Sequence, residues 1–565
     1  MDTKLLREQA KEAALRFLHE DGEYRMGYIE AEKPHPMTRK LSQTYASSAK
    51  DGAKLLLSVD KAMSQRAYET LMTPEYAQFA EAVIATLRRG NRVIFSGCGS
   101  SGRLSMGLER MWLRAIDFLS QKHPDSASKL NEKRHCVGNI MTGGDYAVIR
   151  AAESFEDSTA LGKLQAKIRN LQAGDLLVGV TATGETTSIL GTAQQALQDG
   201  AQVYMLICAD HKPLIKKMAR AREVYTHPNC ATINLPCGPM ALTGSTRMQS
   251  STFEQFVAGV ALEAALFEIL RDCGEDVTFP GYNWYGAQFT QMIGQLLSDS
   301  AVDLLAKTTD TERNLYENGG LITLFADEYL LDVLTDTTER SPTFMTPPFS
   351  SADMANEPQS WAFVKNPTCS TEDAWTKCFL RRPNCIDWPR ETYESLGMTE
   401  NQIERIPDVS TKALYRFIIG NEAAPERENT KKNHALWIDT KDAPAEFYAH
   451  AQRYQSASQL TLSKAQITLP ETATDLYSHL CIKLMMNTLS TGVMASMGRI
   501  HGNWMTCLAI SNKKLVDRGA RIVSDLCGIT YEQALEENFY SRLLSEEQNL
   551  LLSPVQESIQ RLGLK

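Results

Sequence analysis

Apolar residues near the N-terminus recur every three to four positions, which is the spacing of an amphipathic helix. This spacing predicts three helices, at Lys4–Glu20, Ser47–Met63 and Pro74–Arg89. Between the first two helices, the segment EKPHPMTRKL (32–41) contains two prolines among polar residues. Because a residue before proline is biased away from the helical conformation, we expect this segment to be extended and to cross between elements.

From residue 91 the pattern changes to short apolar runs, each ending in glycine, alanine or polar residues and separated from the next by a helix-like stretch. These runs predict five strands, in the sequences NRVIFSGCG, HCVGNIMTGG, GDLLVGVTATG, AQVYMLICA and CATINLPCG. Strands that alternate with helices indicate an α/β fold, in which helices cover both faces of a parallel sheet. Ligands of such sheets bind beyond the carboxyl ends of the strands.

A second α/β block follows a predicted helical connection at Trp284–Leu305. Its predicted strands have about the spacing of the first block, and they lie at 319–326, 361–366, 414–421, 434–440 and 465–470. The repeated spacing with little residue identity indicates an old duplication. From Asp475 to Lys565 the pattern is helical again. We therefore predict two α/β units, an N-terminal helical segment and a C-terminal helical cap.

Length and composition exclude several classes of protein. A chain of 565 residues is too long for one compact domain, and 43% hydrophobic with 22% charged residues is typical of a globular protein. The formal net charge of −9 argues against a nucleic-acid partner, which usually requires a basic surface. The twelve cysteines are scattered without a CxxC pair, so neither a zinc site nor another cofactor is predicted.

The sequence also argues against a membrane partner. The N-terminal stretch is charged throughout and lacks the apolar region of a signal peptide. The most apolar helix-like stretch, Phe256–Leu270, is interrupted by Glu263 and Glu268, so no membrane span is predicted. With the scattered cysteines, these features predict a cytoplasmic protein.

Two strands of the first block end in loops rich in glycine and hydroxyl residues. Gly97–Leu104 has the sequence GCGSSGRL, and Thr181–Ser188 has the sequence TATGETTS. Each loop alone fits a tight strand-to-helix turn with a hydroxyl N-cap. Two such loops in one sheet favour phosphate binding, because backbone N–H groups and hydroxyls at helix N-termini bind anions. A nucleotide P-loop is not indicated, since neither loop has a lysine after its glycine, and a dinucleotide fold is set aside for lack of the expected acidic residue.

A third cluster, LTGSTRM (242–248), follows the fifth strand. An arginine next to two hydroxyl residues suits a phosphate or the oxygens of a sugar. A capped helix start with a surface arginine explains the same residues equally well.

In this order, and together with GGDYAVIRAAESFEDS (143–158), the three clusters resemble the sugar isomerase (SIS) domain of N-acetylmuramic acid 6-phosphate etherases and of glucokinase regulatory protein. EKPHPMTRKL resembles the N-terminal segment of the latter family, and residues 480–519 resemble a C-terminal helical motif that both families share. The etherases have one SIS domain per chain. With two such units and a cap, this chain resembles the glucokinase regulatory protein family over nearly its full length.

The resemblance implies two flavodoxin-like SIS domains with parallel sheets. The implied organisation is an N-terminal helical and extended segment (1–60), a first SIS domain with the sugar-phosphate site (61–275), a second SIS domain (276–474) and a helical cap (475–565). The second site is degenerate, because the first strand of that block ends in Ala326-Asp327-Glu328 with no glycine–serine loop. Two carboxylates at that position would repel a phosphate, so this site is expected to serve structure or partner contact.

The resemblance also implies one site for a phosphorylated hexose or amino sugar. By position, the phosphate would be held by Ser100, Ser101, Thr183 and Thr186, with backbone room at Gly99 and Gly184. Glu156 would bind sugar hydroxyls, while Ser245, Thr246 and Arg247 would line the other side. Glu185 departs from a phosphate loop, because an anion there must point away or be screened.

Lys483 is expected to reach into this site from the cap. In the etherases, a helix with Lys, Asn and Ser-Thr closely follows the serine–arginine cluster, whereas here Gln255 occupies the lysine position. The pattern recurs far downstream at Lys483, Asn487 and Ser490, which share one helical face. The resemblance therefore implies a composite site that duplication divided between the first block and the cap.

The etherases use two glutamates as acid and base. In an alignment without gaps, Met111 occupies one of these positions and Glu156 the other. A thioether cannot transfer a proton, and loss of one positioned acid or base typically costs ~10²–10⁴ in rate. Glu109 is no substitute, because two residues turn a helix by about 200°. The resemblance thus implies a non-catalytic regulatory protein that senses a phosphosugar and has a sugar kinase as its protein partner.

Two alternatives stay open. One is an enzyme, either an etherase-like lyase or a sugar-phosphate isomerase with substituted groups, in which Glu156 would be catalytic and His501 a spare base. A lone histidine beside a helix is more often structural. The other alternative is a scaffold that has lost its ligand, against which the intact loops of the first block argue.

Overall fold

Helices and two parallel sheets make up the computed structural model, which describes residues 3–352, 358–508, 510, 512–548 and 552–564. The N-terminal helices are α1 (Thr3–Glu20), α2 (Leu41–Ser47), α3 (Ala49–Leu71) and α4 (Pro74–Arg88). Hydroxyl N-caps begin two of them, since Ser48 accepts from the N–H of Asp51 and Thr73 from that of Tyr76. The three predicted helices are confirmed, although the second extends further than predicted.

The segment 32–41 is only partly extended. Lys33 and His35 have extended backbones, but Pro36–Thr38 forms a 3₁₀ turn. Proline at the first position of a helical turn is favoured, because its fixed φ suits the turn.

The five predicted strands of the first unit form one parallel sheet. They are β1 (Val93–Gly97), β2 (Val137–Met141), β3 (Leu176–Thr181), β4 (Gln202–Ile207) and β5 (Cys230–Asn234). Their order is β2-β1-β3-β4-β5, which is that of a flavodoxin-like sheet. Every residue of β1, β2 and β3 is buried, because helices cover both faces.

The helices of this unit follow their strands in alternation. They are α5 (Gly99–Lys122), α6 (Ala127–Glu132), α7 (Glu153–Glu156), α8 (Thr159–Ile168), α9 (Thr187–Gln198), α10 (His211–Lys217), α11 (Ala219–Tyr225) and α12 (Gln249–Asp272). Helix α12 is buried on nearly all sides, as its run of apolar residues requires.

The second unit repeats the arrangement in a four-stranded sheet. Its elements are α13 (Tyr282–Leu296), α14 (Asp299–Glu317), β6 (Leu321–Phe325), α15 (Leu330–Phe344), β7 (Ala362–Lys365), α16 (Thr371–Phe379), α17 (Arg390–Ser395), α18 (Glu400–Glu404), α19 (Thr411–Leu414), α20 (Pro425–Glu428), β8 (Asn433–Asp439), α21 (Ala445–Ala451), β9 (Ser456–Thr461) and α22 (Leu462–Ala465). The parallel order β7-β6-β8-β9 corresponds to β2-β1-β3-β4 of the first sheet.

Two predicted strands of this unit are wrong. Residues 414–421 leave helix α19 as a loop, whose Phe417 and Ile419 are buried in the core without joining the sheet. Residues 465–470 are not a strand either, because the fourth strand lies earlier, at Ser456–Thr461. This edge strand begins with exposed residues, so it lacks the continuous apolar run of a central strand. The predicted connection at 284–305 is divided between α13 and α14, where Ser298 caps the second helix.

The C-terminal cap consists of α23 (Leu476–Ser496), α24 (Lys513–Cys527), α25 (Tyr531–Gln548) and α26 (Pro554–Leu562). Helix α23 is almost entirely buried and packs against α12 of the first unit and α15 of the second. The predicted α/β class with two parallel sheets, an N-terminal helical segment and a helical cap is confirmed. The domain boundaries at 60, 275 and 474 stay a prediction. Within the described residues, every helix is too short or too polar to cross a bilayer.

Candidate functional site

Three loops at the carboxyl ends of strands in the first sheet meet in space. One joins β1 to α5, the second joins β3 to α9, and the third runs from β5 to α12. Ser100 of the first loop and Thr246 of the third are hydrogen-bonded, with 2.9 Å between their hydroxyl oxygens. Parallel strands place their carboxyl ends at one edge, and the clusters that the sequence singled out therefore lie side by side.

Glycine gives the second loop its shape. Gly184 has φ +77°, and a Cβ there would lie 2.8 Å from Leu214 Cδ1 and 3.0 Å from the Tyr225 hydroxyl. That hydroxyl donates to the Gly184 carbonyl at 2.6 Å. Gly99 also has a positive φ, of +55°. The two glycines thus fix the turns that lead into α9 and α5.

A cavity of about 400 Å³ opens over these loops. Most of the predicted site residues line it, namely Gly99, Ser100, Ser101, Glu156, Thr183, Thr186, Ser245, Thr246 and Arg247. The structure therefore brings together residues that are up to 148 positions apart in the chain (99 to 247). Gly184 and Lys483, both in the described part of the chain, are not among the residues that line this cavity.

The floor of the cavity favours an anion. Ser100 and Ser101 lie in the first turn of α5, and Thr186 immediately precedes α9. Backbone N–H groups of a first helical turn have no intrahelical partner, and the helix dipole adds a partial positive charge there. Beneath the floor, burial raises the pKa of Glu254 well above its usual range. Its carboxyl accepts a hydrogen bond from the Ser101 hydroxyl at 3.4 Å.

Arg247 is fixed by the second unit and the cap. Its guanidinium donates to Asp336 of α15 at 2.8 Å and to Thr491 of α23 at 2.9 Å. Burial lowers the pKa of Arg247, which Asp336 partly opposes. Asp336 in turn binds Arg340, which pairs with the buried Glu312. One wall of the first unit's cavity is thus tied to the core of the second unit.

Lys483 lies next to the cavity rather than in it. Its ammonium donates to the Arg247 carbonyl at 2.7 Å and to the Ser251 hydroxyl at 3.0 Å. It lines a smaller neighbouring cavity, which shares Ser100 and Arg247 with the larger one. Burial, above all, lowers the pKa of Lys483 to about 8. This geometry differs from the expected reach into the site, and direct contact with a ligand stays a prediction.

Lys514 of α24 supplies the cation that faces Glu156. The two side chains are 3.4 Å apart, and each is about one quarter exposed. Burial by itself would lower the pKa of Lys514, but Glu156 and Glu185 outweigh it and raise that pKa. Glu185 is buried, and its own pKa is raised by burial, with Lys514 opposing. The anion in the second loop is thus screened, as expected.

The sequence analysis missed several residues of the cavity wall. Besides Lys514, these are Glu32 from the N-terminal segment, Arg103 from α5, Thr338 and Glu339 from α15, Phe349 after it, and Asn512 and Arg518 from the cap. Glu32 is the first residue of EKPHPMTRKL, and Lys514 and Arg518 lie in the C-terminal motif at 480–519. These motifs indicated the segments but not which of their side chains line the cavity. Arg103 and Glu339 form an ion pair between the two units.

Glu32 attaches the N-terminal segment to the cap. Its carboxylate binds Arg518 and Arg521 and is entirely buried. Burial would raise the pKa of Glu32, but the two guanidinium groups outweigh it and lower the pKa to about 2. Thr38 of the same segment donates to the Ala241 carbonyl at 2.8 Å, close to the third loop. The segment thus connects the cap to the cavity.

The second sheet has a different arrangement at the equivalent position. After β6, Asp327 binds Lys377 and accepts a hydrogen bond from Asn366 at 2.7 Å. Lys377 therefore neutralises the Asp327 carboxylate at the strand end, and Asn366 is hydrogen-bonded to it.

The residues considered for catalysis are dispersed. Met111 is fully buried, and the Gln255 amide lies 3.8 Å from its sulfur. Glu109 binds Arg381 of the second unit, which confirms that it faces away from the loops. His501 is 3.0 Å from the Thr506 hydroxyl, and burial lowers its pKa. Within the described chain, Glu156 is the one residue of this group that lines the cavity.

The chain is similar in sequence to known proteins. The model of the "Glucokinase regulatory protein N-terminal SIS domain" matches residues 75–197. An N-acetylmuramic acid 6-phosphate etherase of Salmonella agona is 30% identical over 241 residues, which is 43% of this chain and 71% of the relative. An enzyme of the same name from Cronobacter sakazakii is 31% identical over 216 residues, which is 38% of this chain and 62% of the relative.

Solved structures with some similarity include a putative sugar binding protein from Salmonella typhimurium LT2, with a TM-score of 0.41, 11% identity, and coverage of 77% of this chain and 98% of the other. Another is a tagatose-6-phosphate ketose/aldose isomerase from Escherichia coli, with a TM-score of 0.41, 9% identity, and coverage of 84% and 97%.

Proposed function

Because the chain belongs to the SIS-domain family that includes the N-acetylmuramic acid 6-phosphate etherases and glucokinase regulatory protein, we propose that it binds a phosphorylated hexose or amino sugar, one molecule per chain. The observation that carries this proposal is the convergence of three hydroxyl-rich loops on one cavity, at 100–101, 183–186 and 245–246. Helix N-termini and hydroxyls together match the needs of a phosphate group.

In this proposal the phosphate lies over the first turn of α5 and the start of α9. Ser100, Ser101, Thr183 and Thr186 donate to its oxygens, and Lys514 balances its charge from the cap side. Charge-assisted hydrogen bonds of this kind are roughly twice as strong as neutral ones. Glu156 accepts from the sugar hydroxyls, and Ser245 and Thr246 border the opposite side.

We further propose that the protein senses its ligand and does not transform it. Met111 is buried in the core, so the second glutamate of an etherase has no counterpart at that position. The cavity is bordered by the first unit, by α15 of the second and by α24 of the cap. A ligand that contacts three such parts can favour one arrangement of them over another, which is what a sensor requires.

The name of the matching family model supports a sugar kinase as the protein partner. The twelve free cysteines support a reducing compartment such as the cytoplasm.

A thermal-shift screen tests ligand binding. Hexose 1- and 6-phosphates and amino-sugar 6-phosphates are compared with inorganic phosphate and with the unphosphorylated sugars. A ligand at 100 times its Kd adds about 2.7 kcal/mol of stability. We expect this effect from at least one phosphosugar and from none of the unphosphorylated sugars. If no phosphosugar stabilises the protein, the proposed function is wrong.

The alternative function is that of an etherase-like lyase. It is favoured by the curated names of relatives at 30% and 31% identity and by the position of Glu156 in the cavity. Release of lactate from N-acetylmuramic acid 6-phosphate by the purified protein, and its loss in Glu156→Gln, would establish this alternative.

The sugar kinase partner is tested by measuring kinase activity with and without the protein, in the presence and absence of the stabilising phosphosugar.

A further inference from the structure

The lining of the cavity includes apolar side chains as well as polar and charged ones. The loops of the first unit present hydroxyls and helix N-termini, as described above. The lining also includes Phe349, which follows α15, Met505 and Leu508 from the segment before α24, and Leu515 in α24. None of these four side chains offers a conventional hydrogen-bond donor or acceptor. We call this set the apolar wall.

The apolar wall is built into the core. The Phe349 ring stacks on Phe363 of β7, with 4.2 Å between the ring centroids. Leu508 packs with the buried residues of α24 and α25, and Met505 belongs to the main hydrophobic core. Phe349, Met505 and Leu508 are each at most 4% exposed. The wall is therefore preformed, as is usual for small-molecule pockets.

A bare phosphosugar does not match this wall. A hydroxyl placed against it loses its hydrogen bonds to water and gains no partner, which is unfavourable. A carbon chain placed there leaves water at no such cost. The volume of about 400 Å³ lies within the range of pockets that hold drug-sized ligands.

We propose that Phe349, Met505, Leu508 and Leu515 form an apolar subsite for a substituent on the phosphosugar. The substituent is an acyl or alkyl chain of three or more carbons. This inference rests on the proposed function, because the phosphate loops anchor the other end of the same ligand.

Titration calorimetry with two graded ligand series tests the subsite. One series is glucosamine 6-phosphate with N-acetyl, N-propanoyl and N-butanoyl groups, and the other is methyl, propyl and butyl glucoside 6-phosphate. In at least one series we expect each added methylene to tighten binding about two- to fourfold, as for burial of a CH₂ group. If parent phosphosugars bind and affinity is flat or falls along both series, the apolar subsite is wrong and the proposed function stands. If no phosphosugar binds, both are wrong.

Variants of the apolar wall distinguish binding in the subsite from a general increase of affinity with ligand size. Leu515→Ser and Leu508→Ala should each reduce the gain per methylene, whereas Leu515→Met should preserve it. Leu562→Ala, at an exposed position of α26, is the matched control and should leave the gain unchanged. Thermal unfolding verifies that each variant is folded. A gain that persists in both Leu515→Ser and Leu508→Ala contradicts the assignment of the wall.

Discussion

Among single residues, Glu156 and Lys514 are the pair through which we propose that the site distinguishes a sugar from a simple anion. The two groups are 3.4 Å apart at the side of the cavity. In the proposal, Lys514 faces the phosphate and Glu156 the hydroxyls. Substitution of each partner should therefore affect a different part of the ligand.

We expect Glu156→Gln to weaken phosphosugar binding by at least tenfold. A hydrogen bond to a charged acceptor contributes about 1.5–3 kcal/mol, more than one to a neutral amide. Binding of inorganic phosphate should be undiminished, since the phosphate contacts remain. Calorimetry with both ligands checks this difference, with Glu446→Gln in α21 as a distant control. Unchanged phosphosugar affinity would mean that Glu156 only positions Lys514.

Asp60 predicts a dependence of stability on pH. Its carboxyl is buried in α3 and accepts a hydrogen bond from Gln249 at 2.8 Å. Burial raises the pKa of Asp60 to about 7, with Gln249 and Lys483 opposing. An unfolded aspartate has a pKa of about 3.9, so between pH 4 and 7 the folded chain holds a proton that the unfolded chain releases. This contribution to stability is complete below pH 4 and is lost as the pH rises towards 7.

Asp60→Asn should remove the contribution of Asp60 to the pH dependence of the free energy of unfolding. Measured by urea unfolding, the stability of the variant relative to the wild type should rise by about 2 kcal/mol between pH 5 and pH 7. Asp303→Asn, at the exposed end of an ion pair with Lys50, is the control and should show no such change. Parallel pH profiles for Asp60→Asn and the wild type would contradict the protonated state of Asp60.

The sequence predicted the loop residues of the cavity but not its opposite side. Ser100, Thr186 and Thr246 belong to contiguous motifs at strand ends, where the order of the chain determines their neighbours. Lys514, Glu32 and Glu339 come from three distant segments. Their approach to the loops depends on how the cap and the second unit pack, and no local pattern records that packing.

At the scale of elements, two helices of the cap have different relations to the cavity. Lys514 of α24 lines the cavity, whereas Lys483 of α23 donates a hydrogen bond to the Arg247 carbonyl. Lys514→Met should weaken phosphosugar binding by at least tenfold, about 1.4 kcal/mol, because in the proposed site it removes the cation that balances the charge of the phosphate. Isothermal calorimetry measures this loss, and an unchanged Kd would contradict the role of α24.

The composite site predicted from the sequence requires a second effect on α23. Lys483→Ala should also weaken phosphosugar binding at least tenfold, through the position of the Arg247 carbonyl or through direct contact. It should abolish ligand-dependent protection of α23 and α24 in hydrogen exchange. If both affinity and protection survive this substitution, α23 plays no part in the site.

Strands with a continuous apolar run could be predicted, and the partly exposed strand β9 could not. The strands β1 to β3 are buried along their whole length, which gives the run of apolar residues that sequence analysis detects. Strand β9 starts with exposed residues, so its sequence predicts a strand less strongly than the more apolar stretch at 465–470 does. The apolar residues at 414–421 fill the core from a loop, a role that periodicity cannot distinguish from a strand.

At the scale of the whole molecule, the two units share one buried chain of charges. It runs from Arg247 through Asp336 and Arg340 to Glu312. Each member is at most 5% exposed. Removal of one partner from a buried ion pair leaves an uncompensated charge, which typically costs about 3–5 kcal/mol.

Asp336→Asn should therefore lower the free energy of unfolding by about 3 kcal/mol. Chemical denaturation measures the change, and Asp442→Asn, whose partner Lys464 is exposed, is the comparison, with an expected loss of at most about 1 kcal/mol. Equal effects for the two substitutions would indicate that the chain of charges does not bind the units together.

We propose one phosphosugar site per chain, formed by the loops of the first sheet. Titration calorimetry with the phosphosugar that stabilises the protein most tests it directly. We expect one molecule bound per chain, binding lost in the double variant Ser101→Ala with Thr186→Val, and binding retained in Asp327→Asn at the end of β6. Two molecules bound per chain, or undiminished binding in the double variant, would contradict it.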